Sequence, residues 1–287
     1  MPDFPIIDSH VHLLEPKRFG YGWTKNAPQL ERLVLPDDLI RAAAPVQIER
    51  FVFVEVDVDF PHHLDEAAWI DGLARTDKRL AGMVAALPLE RGKAIEPQLD
   101  AVCRNQSLRG IRRLIQNQAD PDFCIQPAFI DGLKLLAARD LVFDICVFHR
   151  HMPNVLKMVR QCPEVRFVLD HIGKPGIRAG IIDPWRQHMK ELAALPNVVC
   201  KISGVTTEAD RKNWTREQLK PYVAHSIDAF GFDRVMYGGD WHVSELAGTY
   251  PQWVEIVDWV TEGATAEEKR KLFRDNAIRA YRLDRAA

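Results

Sequence analysis

The stretch LVFDICVFHRHMPNVLKMVRQCPEVRFVLDH, residues 141–171, predicts the fold of the chain. Two short apolar runs, at 141–148 and 165–171, lie on either side of a segment with helical periodicity at 152–161. Strands that are apolar on both faces and alternate with helices indicate a parallel sheet covered by helices. We therefore expect this stretch to form a strand, a helix and a second, parallel strand.

The same alternation continues along the whole chain. The eight candidate strands are 5–8, 50–56, 80–87, 108–114, 141–148, 165–171, 197–203 and 233–239. The eight segments with helical periodicity are 36–45, 64–75, 92–104, 127–139, 152–161, 184–194, 215–230 and 250–260. Eight such units match the size of a (β/α)8 barrel, and a doubly wound open sheet is the alternative. We expect one α/β domain over residues 1–287, a TIM barrel with closing helices at 265–283.

The composition describes an ordinary globular protein, with 47% hydrophobic and 27% charged residues. The net charge of -2 favours neither nucleic acid nor an anionic membrane as a partner. No signal-peptide pattern precedes Ile6, and no apolar run approaches the length of a membrane span. The five cysteines are widely spaced, which predicts reduced thiols in a cytoplasmic protein. The expected partner is a small molecule, and the sequence leaves open whether the chain forms a homo-oligomer.

The segment IIDSHVHL, residues 6–13, places two histidines one residue apart. Alternate side chains of a strand point the same way, so His10 and His12 share a face. Chance is one explanation in a chain with ten histidines. The other is half of a metal site or half of an oxyanion clamp, which requires partners elsewhere in the chain.

Polar residues follow the carboxyl ends of most candidate strands, where barrel enzymes place their catalytic groups. Surface solvation does not explain such residues on so many strand ends together. Lys201 on the seventh strand needs a partner if it is buried, and Asp240 or Glu55 is expected. The candidates along this rim are His10, His12, Glu55, Arg112, His149, Asp170, His171, Lys201, Ser203 and Asp240.

Five segments together resemble the amidohydrolase superfamily, in its amidohydrolase-2 branch. They are IIDSHVHL (6–13), RGIRRL (109–114), FVLDHIGKP (167–175), CKISG (200–204) and RVMYGGDW (234–241). Within that branch they are most similar to sugar lactonases acting on L-fuconolactone or L-rhamnonolactone, and to 2-pyrone-4,6-dicarboxylate lactonases. The resemblance spans the chain to the DNAIRAYRL segment and implies a hydrolase that opens a lactone.

The resemblance implies catalytic roles for His10, His12, His171 and Asp240. Asp240 is the expected general base, because a carboxylate with a pKa of about 4 is ionised at neutral pH. The histidines either hold a divalent metal or donate hydrogen bonds to the lactone carbonyl. The expected ion is one zinc, bound by these four residues with Glu55 as a further ligand, although some relatives work without metal. The fourth strand has no lysine to bridge two ions, so a binuclear site is not expected.

Further residues are candidates for binding the substrate, each with a plainer alternative. Arg112 presents a planar donor to a carboxylate or to sugar hydroxyls, or it is solvated beside a helix. Trp23 and Trp241 offer flat faces to a sugar ring, or they pack in the core. His242 stands where relatives have proline, as a polar contact or as a solvated loop residue. The full set of candidates is Arg112, His149, Lys174, Trp241, His242 and Trp23.

Three functions stay open, and lactone hydrolysis ranks first on the resemblance. The substrate is then a sugar aldonolactone such as L-fuconolactone, or a dicarboxylate or muconate-type lactone. The alternative is a metal-dependent, non-oxidative decarboxylase of an aromatic or unsaturated carboxylic acid on the same scaffold. A binding protein without activity is disfavoured by the complete set of histidines and aspartate.

Overall fold

The computed structural model describes residues 1–284 of the chain. Eight parallel strands are hydrogen-bonded in chain order, and a parallel bridge between Val11 and Trp241 joins the first strand to the segment that follows the last. The strands are β1 (Ile6–Val11), β2 (Ile48–Val54), β3 (Leu80–Ala86), β4 (Leu108–Arg112), β5 (Val142–Ile145), β6 (Arg166–Leu169), β7 (Val198–Ile202) and β8 (Val235–Tyr237). The prediction of a (β/α)8 barrel is confirmed.

Helices follow the strands, and all but the last of them lie around the outside of the barrel. They are α1 (Pro36–Ala43), α2 (His63–Thr76), α3 (Glu96–Val102), α4 (Pro127–Ala137), α5 (Met152–Gln161), α6 (Trp185–Ala193), α7 (Arg216–Phe230), α8 (Tyr250–Val260), α9 (Ala266–Arg270) and α10 (Asn276–Tyr281). The expected closing helices are α9 and α10, joined by a π-helical turn. Within residues 1–284, none of these helices has the length and apolar character that crossing a membrane requires.

The clearest difference from the expected helices lies at 92–104. The helix begins only at Glu96, because the preceding turns are interrupted at Gly92, whose φ is 57°. A Cβ atom on Gly92 would lie 3.2 Å from the carbonyl oxygen of Ala128 in α4, so the close approach of α4 requires glycine. The sequence pattern therefore overestimated the length of α3.

The inside of the barrel contains a small apolar layer and a layer of charged residues. The apolar layer includes Val142, with Tyr281 of α10 packed against it. Asp144 follows Val142 at the next alternate position and therefore shares its face. The Tyr281 hydroxyl donates to Asp144 Oδ2 at 2.7 Å. Because α10 packs against this apolar layer, it does not cover the carboxyl ends of the strands, and a site can form there.

The residues just before the two histidines join β1 to β8. Ser9 Oγ donates to the carbonyl oxygen of Tyr237 at 2.6 Å. Asp8 accepts hydrogen bonds from the Gly239 N–H and the Tyr250 hydroxyl, each at 2.8 Å. Burial raises the pKa of Asp8 to about 6, although these hydrogen bonds oppose the rise. The acid and the serine of the IIDSHVHL segment thus close the barrel beneath the histidines.

Candidate active site

Three imidazoles and one carboxylate converge at the carboxyl end of the barrel. The Nε2 atoms of His10 and His12 lie 3.2 Å apart. Asp240 Oδ1 lies 3.3 Å from His12 Nε2, 3.7 Å from His10 Nε2 and 3.9 Å from His171 Nε2. All four side chains are buried. The structure thus brings together the four residues that the sequence nominated as catalytic.

The hydrogen bond made by Nδ1 determines whether Nε2 of His12 and of His171 faces the site as a donor or as an acceptor. His12 Nδ1 lies 2.8 Å from the carbonyl oxygen of Val54, which only accepts, so Nδ1 carries the proton and Nε2 a lone pair. Ser203 Oγ accepts from the backbone N–H of His171 at 3.3 Å and lies 2.9 Å from His171 Nδ1. If the Ser203 hydroxyl donates to Nδ1, His171 presents an N–H at Nε2. The two rings then offer one acceptor and one donor.

Asp240 lies in a left-handed backbone conformation, with φ of 52°, directly after β8 and two glycines. Burial alone would raise its pKa, but the neighbouring His171, His12 and Lys174 together lower it below the ordinary value. Burial also lowers the pKa of His171 well below its ordinary value. At neutral pH the site therefore contains an ionised carboxylate facing neutral imidazole.

Behind His10 lies a buried group of charges. His10 Nδ1 is 3.2 Å from Lys201 Nζ and 3.3 Å from Asp170 Oδ1. Lys201 Nζ lies 2.6 Å from Asp144 Oδ2 and 3.0 Å from Asp170 Oδ1. The lysine therefore pairs with Asp144 and Asp170, and the expected pairing with Asp240 or Glu55 is corrected. Asp144 and Lys201 both project into the barrel interior, below the level of the rim.

Arg112 is held by carboxylates of the protein itself. Its Nε lies 2.5 Å from Glu55 Oε1, and its Nη1 lies 3.1 Å from Asp170 Oδ2. Glu55 Oε2 also accepts the backbone N–H of Asp57 at 2.7 Å. Both Arg112 and Glu55 are buried, so each charge stabilises the other. Glu55, an expected metal ligand, instead anchors Arg112. The Arg112 side chain also lines the cavity beside Asp240.

A catalytic cavity of about 180 Å³ lies above Asp240, His12 and His171. The expected substrate-binding residues Trp23 and Lys174 line it, and Trp23 is fixed by a 2.7 Å hydrogen bond to the carbonyl oxygen of Val56. Several further lining residues were missed because they lie in loops with no motif: Gln116, Asn117, Thr207, Glu208 and Arg211.

Three expected substrate-binding residues lie outside this cavity. Trp241 is 1% exposed, and its Nε1 donates to Glu245 Oε1 at 2.9 Å. His242 is fully buried, with Nε2 3.1 Å from the carbonyl oxygen of Leu30, and burial lowers its pKa to about 4. Both side chains of this loop after β8 are therefore packed in the protein interior. This corrects the interpretation of Trp241 as a sugar-stacking residue and of His242 as a solvated loop residue. His149 lines a neighbouring cleft instead.

The site offers two sets of potential metal ligands whose donor atoms lie within 4.8 Å of one another. One set is His10, His12 and Asp240, and the other is His10, Asp170 and His171. The first set suits a catalytic zinc ion, because it supplies two imidazoles and a carboxylate and faces a cavity. His12 directs Nδ1 at the carbonyl oxygen of Val54, so its Nε2 is the nitrogen that faces the site, beside the Asp240 carboxylate. The residues present therefore fit one divalent ion.

Comparison with known proteins identifies the class of this barrel. The sequence profile of the family described as amidohydrolase matches residues 7–283, and the chain belongs to that family. An L-fucono-1,5-lactonase from Burkholderia ambifaria is 33% identical over 284 residues, covering 97% of this chain and 96% of the relative.

Two further proteins are similar to this chain, one compared by sequence and one by its solved structure. A 4-sulfomuconolactone hydrolase from Rhizobium radiobacter is 24% identical, covering 82% of this chain and 74% of the relative. The crystal structure of an amidohydrolase from Burkholderia multivorans with bound zinc has a TM-score of 0.88 and 32% identity. That match covers 98% of this chain and 100% of the other.

Proposed function

We propose that this enzyme hydrolyses a small lactone by water attack on the ring carbonyl, with Asp240 as general base. The observation that carries the proposal is the position of the Asp240 carboxylate, whose Oδ1 lies 3.3 to 3.9 Å from three imidazole Nε2 atoms beside a small cavity. The similarity to an L-fucono-1,5-lactonase over nearly the whole chain supports a sugar lactone as the substrate.

The reaction follows from the protonation states of the site. Asp240 takes a proton from water while the water oxygen bonds to the carbonyl carbon, which leaves negative charge on the carbonyl oxygen. His171 donates its Nε2 hydrogen to that oxygen, a contribution of about 3 kcal/mol for one such donor. When the ring C–O bond breaks, protonated Asp240 returns the proton to the leaving oxygen. The product is an open-chain hydroxy acid, and His12 Nε2 orients the water as an acceptor.

A divalent ion is compatible with this arrangement. His10, His12 and Asp240 would hold it, and a zinc-bound relative of the same fold supports that assignment. When bound, zinc supplies Lewis acidity and lowers the pKa of coordinated water to about 7. The proton of His10 Nδ1 would then point to Asp170, leaving the Nε2 lone pair for the ion.

The first test is proton release from a panel of aldonolactones and dicarboxylate lactones, with purified protein before and after chelation. We expect hydrolysis of at least one lactone. Activity that survives chelation assigns the oxyanion contacts to the side chains alone, whereas loss on chelation and recovery with zinc assigns a metal. Release of carbon dioxide from an aromatic acid, with no lactone hydrolysed, would contradict the proposal and favour the decarboxylase alternative.

A further inference from the structure

A second, larger concave surface lies beside the catalytic cavity. This basic cleft has a volume of about 840 Å³ and lies between the loops after β5, β6 and β7. Its floor and walls come from residues 148–150, 174–181 and 207–213. The mechanism above uses none of its outer residues.

The charge of the basic cleft is unlike that of the whole chain. Glu208 and Asp210 are the acids that line it. Against them stand five arginines and lysines and one histidine: Arg150, Lys174, Arg178, Arg211, Lys212 and His149. The chain as a whole carries a net charge of -2, so this excess of positive charge is local. A concave surface of one sign concentrates ligands of the opposite sign.

Most of these cations form no close ion pair with the described residues, and Arg178 and Arg211 act on Asp210 and Glu208 only at longer range. Within residues 1–284, no carboxylate oxygen lies within 4.0 Å of the charged groups of Arg178, Arg211 or Lys212. Lys174 Nζ lies 3.9 Å from Glu208 Oε1, a loose pair. Arg150 donates to the carbonyl oxygen of Gln116 at 3.3 Å and carries no acidic partner there. Their donors are therefore available to a ligand.

The basic cleft adjoins the catalytic cavity. Lys174, Thr207, Glu208 and Arg211 line both. A substituent on a ring held beside Asp240, in the cavity of about 180 Å³, would therefore lie near the side chains that the cavity shares with the cleft. The carboxylate formed on hydrolysis arises at Asp240 instead, so the product's new charge does not account for cations on the outer wall.

We propose that the basic cleft binds an anionic substituent of the lactone, a carboxylate or sulfonate, so that the substrate is an acidic lactone. This inference rests on the proposed lactonase function and narrows its substrate class. A sugar lactone that carries a second acid group satisfies both the cavity and the cleft. Guanidinium groups pair with carboxylate and sulfonate oxygens through parallel N–H donors, which suits Arg178 and Arg211.

The test compares matched lactones that differ in one group. Each pair consists of an aldonolactone with a terminal hydroxymethyl group and the aldarolactone of the same ring stereochemistry with a carboxylate there. We expect kcat/KM to be at least about tenfold higher for the aldarolactone at low salt, and this preference to shrink as ionic strength rises. Equal kcat/KM for the two members of every pair would overturn the inference.

Charge-reversal variants test whether the basic cleft causes the preference for the aldarolactone. The double variant Arg178→Glu, Lys212→Glu changes two exposed cleft residues and should reduce the aldarolactone preference at least about fivefold at low salt. Lys190→Glu, on the exposed face of α6 outside the cleft, is the control for charge and should keep the wild-type preference. A preference that survives the double variant would also overturn the inference.

Calorimetry with the open-chain aldarate and aldonate separates this inference from the proposed function. Tighter binding of aldarate, weakened by the double variant, supports the cleft assignment even if no lactone is hydrolysed. That result without turnover would contradict the lactonase function alone. Aldonolactone turnover with no dependence on cleft charge would contradict the cleft assignment alone.

Discussion

Gly204, just after β7, leaves room for the ring of His171. Its φ of 60° lies in the left-handed region, and a Cβ atom there would lie 2.4 Å from His171 Nδ1. His171 itself has a φ of 53°, so the loops after β6 and β7 meet with both chains in unusual conformations. The glycine of the CKISG segment therefore leaves the space in which the His171 ring bonds to Ser203.

Gly204→Ala tests this role. The methyl group displaces the His171 ring and its hydrogen bond to Ser203, so kcat should fall at least about tenfold, since small displacements at catalytic groups cost about that or more. Gly231→Ala is the matched control, because Gly231 has a φ of 70° and no atom within 4 Å of the added Cβ. Steady-state kinetics on the best lactone checks both variants. Equal kcat for the two variants would remove the steric role of Gly204.

On helix α2, Glu66 is a buried acid outside the catalytic group. It is 1% exposed, and its Oε1 has no hydrogen-bond partner among the described residues. Burial, and next the nearby Glu55, raise the pKa of Glu66 well above its ordinary value. Because the folded pKa is raised, the stability that Glu66 contributes is complete below about pH 4.5 and is lost as pH rises through the folded pKa.

Glu66→Gln should therefore change how stability depends on pH. The melting temperature of the variant, relative to wild type, should rise as the pH increases above about 5, because glutamine has no proton to lose. Asp65→Asn, on the exposed face of the same helix, controls for the loss of one negative charge. Thermal unfolding across that pH range is the measurement. A difference that stays constant with pH would contradict the raised pKa of Glu66 in the folded protein.

At the scale of elements, the sequence predicts the barrel well because strands buried on both faces alternate with amphipathic helices. It also predicts His10, His12, His171 and Asp240, since motif residues at strand ends meet at one rim of a barrel. It does not predict the bounds of α3, which depend on packing around Gly92. Nor does it predict cavity residues such as Gln116 and Arg211, because loop conformation is set by tertiary contacts.

Across the whole molecule, buried charges connect α10 to the catalytic end. Tyr281 donates to Asp144, which pairs with Lys201, and Lys201 also lies beside Asp170 and His10. Periodicity identifies residues that face the interior but not their height in the barrel. That is why Lys201 was expected beside Asp240 or Glu55 and is found with deeper partners.

Lys201→Met should destabilise the barrel strongly. Removing the cation leaves Asp144 and Asp170 buried without it, and breaking a buried ion pair costs about 3–5 kcal/mol. Tyr281→Phe removes one hydrogen bond to the same Asp144 and should cost about 1 kcal/mol. Urea unfolding followed by circular dichroism compares the two. A Lys201→Met variant no less stable than Tyr281→Phe would contradict the structural importance of this network.

The central claim is that ionised Asp240 takes the proton from water as the lactone opens. The most direct test is kcat of Asp240→Asn on the best lactone, with folding checked by circular dichroism. General base catalysis typically contributes about 10²–10⁴-fold, so kcat should fall at least about 100-fold while the fold survives. A well-folded Asp240→Asn enzyme that keeps more than about a tenth of the wild-type kcat would contradict the claim.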